Sequence, residues 1–184
     1  MAKKVVVVLA EGFEEIEAIT PIDILRRAGL EVTVAGLGAR DVAGAHGLKV
    51  QADVILEQYH DMPDAIVLPG GLPGAENLAN SKVLENLIRK MDQAGKLIGA
   101  ICAAPSLVLA RKGFLENRKA TCYPGFEKNF GGKTTFLPDR VVRDGNVTTS
   151  RGPGSAIEFA LELVGQLAGP EKAEKLAGAM LAKV

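Results

Sequence analysis

Cys102 stands in Leu97-Ile98-Gly99-Ala100-Ile101-Cys102-Ala103-Ala104-Pro105. An apolar run reaches one cysteine, small residues surround it, and a proline then opens a helix. This is the pattern of a strand turning sharply into a helix with a nucleophile at the turn, where side chains around the exposed sulfur would not fit. The amides of the following helix point at the sulfur, which favours thiolate over thiol. A lone cysteine can also be a buried structural thiol; the flanking residues favour the reactive reading.

Three further groups have types that could serve such a thiol. Pro69-Gly70-Gly71-Leu72-Pro73-Gly74 follows a strand, and its glycines let backbone N–H groups approach a ligand closely, as an oxyanion hole requires. It matches neither G-x-G-x-x-G nor a Walker A loop, so nucleotide binding is not its first reading. Glu17 is aligned by helical spacing with Pro21, Ile24 and Ala28, an apolar stripe that should face the sheet. A carboxyl group aimed inward has a raised pKa and can stay protonated; the alternative is an ordinary, partly exposed glutamate. Glu14 and Glu15 read as solvated residues that complement the helix dipole. Tyr123, in Thr121-Cys122-Tyr123-Pro124-Gly125, either offers its hydroxyl to a bound ligand or forms an aromatic wall. Cys122 reads as a small buried hydrophobe, with resolving thiol as the other role. His46 and His60 read as exposed loop residues. Arg151 either holds an anion or anchors a loop.

These residues need a frame, and the chain supplies one. Val5–Leu9, Glu31–Ala35, Ala65–Leu68 and Leu97–Ile101 read as buried parallel strands, with Glu14–Ala28 and Ser81–Ala94 as helices between them. Gly29 and Gly95 sit where helix C-caps belong. Lys119–Tyr123 and Val147–Ser150 read as later strands, and Ser155–Leu167 and Glu171–Ala182 as later helices. Gly47–Ala52 and Arg140–Arg143 read as a hairpin or edge strands. Such alternation predicts an α/β fold: a doubly wound, mostly parallel sheet flanked by helices on both faces, in one domain spanning residues 1–184. In that architecture the working site lies at the carboxyl ends of the strands. The loops after Leu9, Leu68, Ile101 and Thr121 then bring the candidate residues together.

Composition narrows the classes. The 22 basic and 22 acidic residues cancel and are mixed along the chain, which lacks the basic stripe of a nucleic-acid binder. Apolar runs such as Val5 to Ala10 are too short to span a bilayer. No signal-peptide cleavage pattern is evident, and two cysteines make no disulfide scaffold. The expectation is a cytoplasmic protein without membrane or nucleic-acid partners. No pair of residues has zinc-ligand spacing, so no metal or cofactor is expected.

Together Glu11-Gly12-Phe13-Glu14-Glu15-Ile16-Glu17, Asp23 to Gly29, Leu68 to Gly71, Ala100 to Pro105 and Thr149 to Gly154 resemble the DJ-1/ThiJ/PfpI family, closest to its DJ-1-like (deglycase) branch in a bacterial-type form. The resemblance implies a flavodoxin-like, class I glutamine amidotransferase-like sandwich. It implies Cys102 as the reactive cysteine, Glu17 as the glutamate bonded to it, and the Gly71 and Ala103 amides as the oxyanion pocket. It further implies a homodimer and cofactor-free conversion of methylglyoxal and glyoxal to hydroxy acids (glyoxalase III), with deglycation as a related activity. The alternative is an oxidative-stress sensor acting through oxidation of Cys102. Ala103 stands where PfpI-type peptidases carry histidine, which argues against a cysteine peptidase or amidase. Tyr123 stands where better-known members of the DJ-1-like branch have histidine, leaving Glu17 as the acid/base.

Overall fold

A computed structural model describes residues 2–183. Its centre is a seven-stranded sheet. The strands are β1 (Lys4–Leu9), β2 (Glu31–Gly36), β5 (Val54–Ile55), β6 (Ala65–Leu68), β7 (Leu97–Ile101), β10 (Val141–Asp144) and β11 (Val147–Ser150). They lie in the order β10-β11-β7-β6-β1-β2-β5. Every neighbouring pair is parallel except β10 and β11, which form an antiparallel edge hairpin.

β1 shows why the strands are continuous apolar runs. Val5, Val7 and Leu9 enter one core, and Val6, Val8 and Ala10 enter the other. A parallel strand covered on both faces needs apolar residues at every position. Each such side chain contributes roughly 1.5–3 kcal/mol by leaving water. On the first face pack α1 (Glu15–Arg27), α4 (Ala156–Ala168) and α5 (Pro170–Ala179); on the second, α2 (Gly74–Asn80), α3 (Lys82–Gln93) and the turn after Cys102. Helix ends follow local chemistry. The Ser81 hydroxyl caps α3 by accepting the Leu84 amide at 3.2 Å, and Gly29 and Gly95 follow helices with φ of 82° and 63°.

Two segments depart from the sequence reading, and a third, Gly47–Ala52, agrees with it as a hairpin. The segment read as a strand from Lys119 to Tyr123 is paired only at β8 (Lys119–Ala120), which joins β9 (Thr135–Phe136) in a separate two-stranded sheet. Beyond Ala120 the amides leave the ladder: Thr121 N–H donates to Thr149 Oγ1 at 2.9 Å and Tyr123 N–H to the Cys102 carbonyl at 2.9 Å. The helix after Cys102 opens as a single π-helical turn, Pro105–Leu109. The Gly47–Ala52 region holds β4 (Lys49–Gln51), which forms a hairpin with β3 (Asp41–Ala43) outside the central sheet. Among the described residues, no helix is long and apolar enough to cross a membrane.

The winding reverses at β1. From there the chain adds β2 and β5 on one side, then crosses to add β6, β7 and β11 on the other. The crevice at a reversal of this kind, beyond the carboxyl ends of the strands, is where open α/β sheets bind ligands. Gly12 and Gly70 flank it here.

Candidate active site

Cys102 is the first residue after β7 and has φ of 66°, a left-handed conformation that costs a non-glycine residue on the order of 1 kcal/mol or more. Backbone bonds hold it there. Its N–H donates to the Ser150 carbonyl at 2.9 Å, and its carbonyl accepts the Tyr123 N–H at 2.9 Å. The thiol is free and half-buried. The Gly71 and Ala103 amides both act on the sulfur and favour its charged form.

Glu17, on the first turn of α1, is fully buried against this sulfur, as the alignment with Pro21, Ile24 and Ala28 predicts; all four are buried. Its Oε2 accepts the Gly70 N–H at 2.8 Å, and its Oε1 has no hydrogen-bond partner within the protein. Burial pushes the carboxyl up to about 7, against the opposing pull of the Cys102 thiol and the Gly70 amide. Burial also pushes the Cys102 thiol well above its ordinary range, and the adjacent Glu17 charge adds to this. Burial and the Glu17 charge thus oppose the two amides at the sulfur.

Two residues to which the sequence reading gave no part in this contact build it. Glu14, read as merely solvated, is the N-cap of α1: its Oε2 accepts the Glu17 N–H at 2.8 Å while its own N–H donates to the Gly70 carbonyl at 3.0 Å. Gly70 is constrained by space. A Cβ there would lie 2.7 Å from Glu17 Oε2 and 2.8 Å from Cys102 Cβ. Its neighbour Gly71 has φ of 87°, which turns the loop back toward the segment before α1. Only the motif Gly-Gly after a strand hinted at either constraint. We expect Gly70→Ala to separate Glu17 from Cys102. Differential alkylation would then show Cys102 ionising at a lower pH than in the wild type, and an unchanged titration would refute this account of Gly70.

The remaining candidates fall around this centre. Tyr123 is 46% exposed, its ring against Gly152, where an added Cβ would come within 3.1 Å of it. Cys122 is fully buried, and burial pushes its thiol up to about 12. Arg151 donates to the Pro138 carbonyl at 3.0 Å and so anchors a loop. His60 is exposed. His46 is exposed, with Nδ1 2.8 Å from Glu15 Oε2; the His46 N–H donates to Glu15 Oε1 at 2.6 Å. Glu15 therefore clips the β3–β4 hairpin to α1 and is not a freely solvated residue. Glu14, Glu15 and His46 hold one potential metal-ligand atom each within 4.8 Å of one another, but their carboxylates are already committed to these amides and to the imidazole.

A mostly parallel sandwich with a cysteine on a strained strand-to-helix turn, a buried glutamate beside it and backbone amides on the sulfur defines a class of cysteine-centred α/β proteins. The chain belongs to the DJ-1/PfpI family, whose description matches residues 3–166. It is similar to the crystal structure of Drosophila melanogaster DJ-1beta, with a TM-score of 0.96, 42% identity and full coverage of both chains. It is 41% identical to a Caenorhabditis elegans protein named glutathione-independent glyoxalase DJR-1.2, over 90% of this chain and 89% of that one. It is 46% identical to protein DJ-1 homolog B of Arabidopsis thaliana over 97% of its own length, yet spans only 41% of that relative. The chain thus covers less than half the length of its plant relative and nearly all of the worm protein.

Proposed function

We propose that the protein converts small α-oxoaldehydes such as methylglyoxal and glyoxal to hydroxy acids without a cofactor. The observation that carries this reading is the fully buried Glu17 carboxyl against the Cys102 thiol, with one oxygen held by Gly70 and the other free to exchange a proton. The worm relative's name is consistent with it. As Cys102 Sγ bonds to the aldehyde carbon, its proton passes to Glu17 and the Gly71 and Ala103 amides stabilise the resulting oxyanion. Protonation of that oxygen gives a hemithioacetal. Glu17 then removes the hydrogen from the former aldehyde carbon and returns a proton to the adjacent carbon, converting an enediol to a thioester. Water hydrolyses the thioester, releasing lactate or glycolate and restoring the thiol. Tyr123 binds the substrate at the rim. The net reaction adds one water and changes no cofactor's redox state. Its need for a free thiol suits a reducing compartment such as the cytoplasm.

The test is lactate formation from methylglyoxal by fully reduced protein in the absence of added thiols. No turnover would leave the redox reading, in which peroxide oxidises the half-buried Cys102 in preference to the fully buried Cys122.

The proposal includes a homodimer. Ile16 and Ile19 on α1, Leu48 at the hairpin tip and Ile157 on α4 are all exposed, and Ile16, Leu48 and Pro153 line a cavity of about 600 Å³. Clustered apolar surface of this kind marks contact with another protein. Sedimentation should give twice the 19.3 kDa chain mass, and Ile16→Asp should shift it to the monomer. A monomeric wild type would remove this element of the proposal.

A further inference from the structure

We propose that Ser106 is a positioning residue for Tyr123: presented by the π-helical turn, its hydroxyl clasps the Tyr123–Phe130 loop across the mouth of the Cys102 site. The inference rests on the aldehyde reading for the role of Tyr123, and on geometry alone for the clasp.

Ser106 lies four residues after Cys102 and is fully buried. A buried hydroxyl without partners is costly, and this one has two in the loop opposite. It donates to the Phe126 carbonyl at 2.9 Å and accepts from Asn129 Nδ2 at 3.0 Å. The π turn is what presents it: the Ala110 amide reaches back to the Pro105 carbonyl, five residues away, as well as to that of Ser106. An extra residue in a helical turn shifts the side chains that follow, and such turns gather at functional sites.

From the clasp a short chain of contacts leads to the site. The Phe126 N–H donates to the Tyr123 carbonyl at 3.1 Å, and the Phe126 ring meets the Tyr123 ring edge-on with centroids 6.4 Å apart. Tyr123 in turn donates its own N–H to the carbonyl of Cys102. The loop is therefore attached to the nucleophile's segment at two points, the backbone of Cys102 and the hydroxyl of Ser106. With the second point lost, the loop pivots about Tyr123 N–H, the aromatic pair separates and the Tyr123 hydroxyl no longer has a defined position.

The experiment is a double-mutant cycle of Ser106→Ala and Tyr123→Phe, read by kcat and KM for methylglyoxal and by the rate of Cys102 alkylation with iodoacetamide. Ser106→Ala should lower kcat/KM on the order of tenfold, the scale of one buried hydrogen bond. In the Tyr123→Phe background the same substitution should cost less than about twofold, because residues acting through one another are not additive. Alkylation of Cys102 should accelerate several-fold in Ser106→Ala as the loop loosens. Additive losses in the cycle would overturn the link to Tyr123, and alkylation at the wild-type rate would overturn the clasp. If the wild type does not turn over methylglyoxal, the aldehyde reading and the Tyr123 link fail together, while the alkylation rate still decides the clasp. Should Ser106→Ala fail to fold, Asn129→Ala removes one partner of the same hydroxyl, and the same two readouts decide.

Discussion

Replacing Cys102 with alanine should reduce lactate formation from methylglyoxal to the uncatalysed rate, a loss of more than about 10³-fold, the scale on which removal of a nucleophile acts. The reason is that, among the described residues, no second accessible thiol can take over the covalent step. Cys122 is fully buried, His46 is held by Glu15 and Arg151 by Pro138. The fold should not suffer. Alanine carries the same Cβ through the turn at φ of 66°, so the backbone strain is unchanged, and the Ser150 and Tyr123 bonds to residue 102 use only main-chain atoms. Circular dichroism and melting close to wild type would accompany the loss. Turnover retained by the pure variant would rule out covalent catalysis at this residue.

How far the site could be read from the sequence depends on whether each contact leaves a periodic trace. β1, β6 and β7 were legible because burial on both faces demands unbroken apolar runs. Glu17 was legible because it interrupts an apolar helical stripe. The meeting of Glu17 with Cys102 was not, since the two lie 85 positions apart in the chain and are joined only by the sheet. The Glu14 cap and the tight fit at Gly70 are likewise contacts between α1 and the loop after β6, each invisible within its own segment. The strand expected to continue to Tyr123 failed for a related reason. Its residues suit a ladder, but Cys102 and Thr149 offer acceptors that pull the amides away. Ser106 has the same character: a serine in an apolar run has no periodic signature, and its two partners lie more than 19 positions away.

Glu17→Gln should separate thiol reactivity from catalysis. Glutamine keeps the shape and can still accept the Gly70 N–H through its amide oxygen while its NH₂ faces the sulfur. It cannot accept a proton. Turnover should fall by about 10²–10⁴-fold, the usual worth of a general acid/base. Thiol reactivity should move the other way. The Glu17 charge is one of the groups that push the Cys102 thiol up, so its removal lets the sulfur ionise at lower pH and react faster with iodoacetamide near neutrality. Stability supplies an independent sign. The folded carboxyl titrates near 7 against an ordinary value of 4.5, so between those limits the folded chain holds a proton that the unfolded chain has released. The wild type therefore loses stability as pH rises through that window, by roughly 3 kcal/mol in total, whereas the glutamine variant does not titrate there. The melting temperature of the variant should rise relative to that of the wild type from pH 5 to pH 8. A difference that stays flat would mean the carboxyl ionises at its ordinary pH. A variant that alkylates faster yet still turns over methylglyoxal at the wild-type rate would show that Glu17 restrains the thiol without moving the proton.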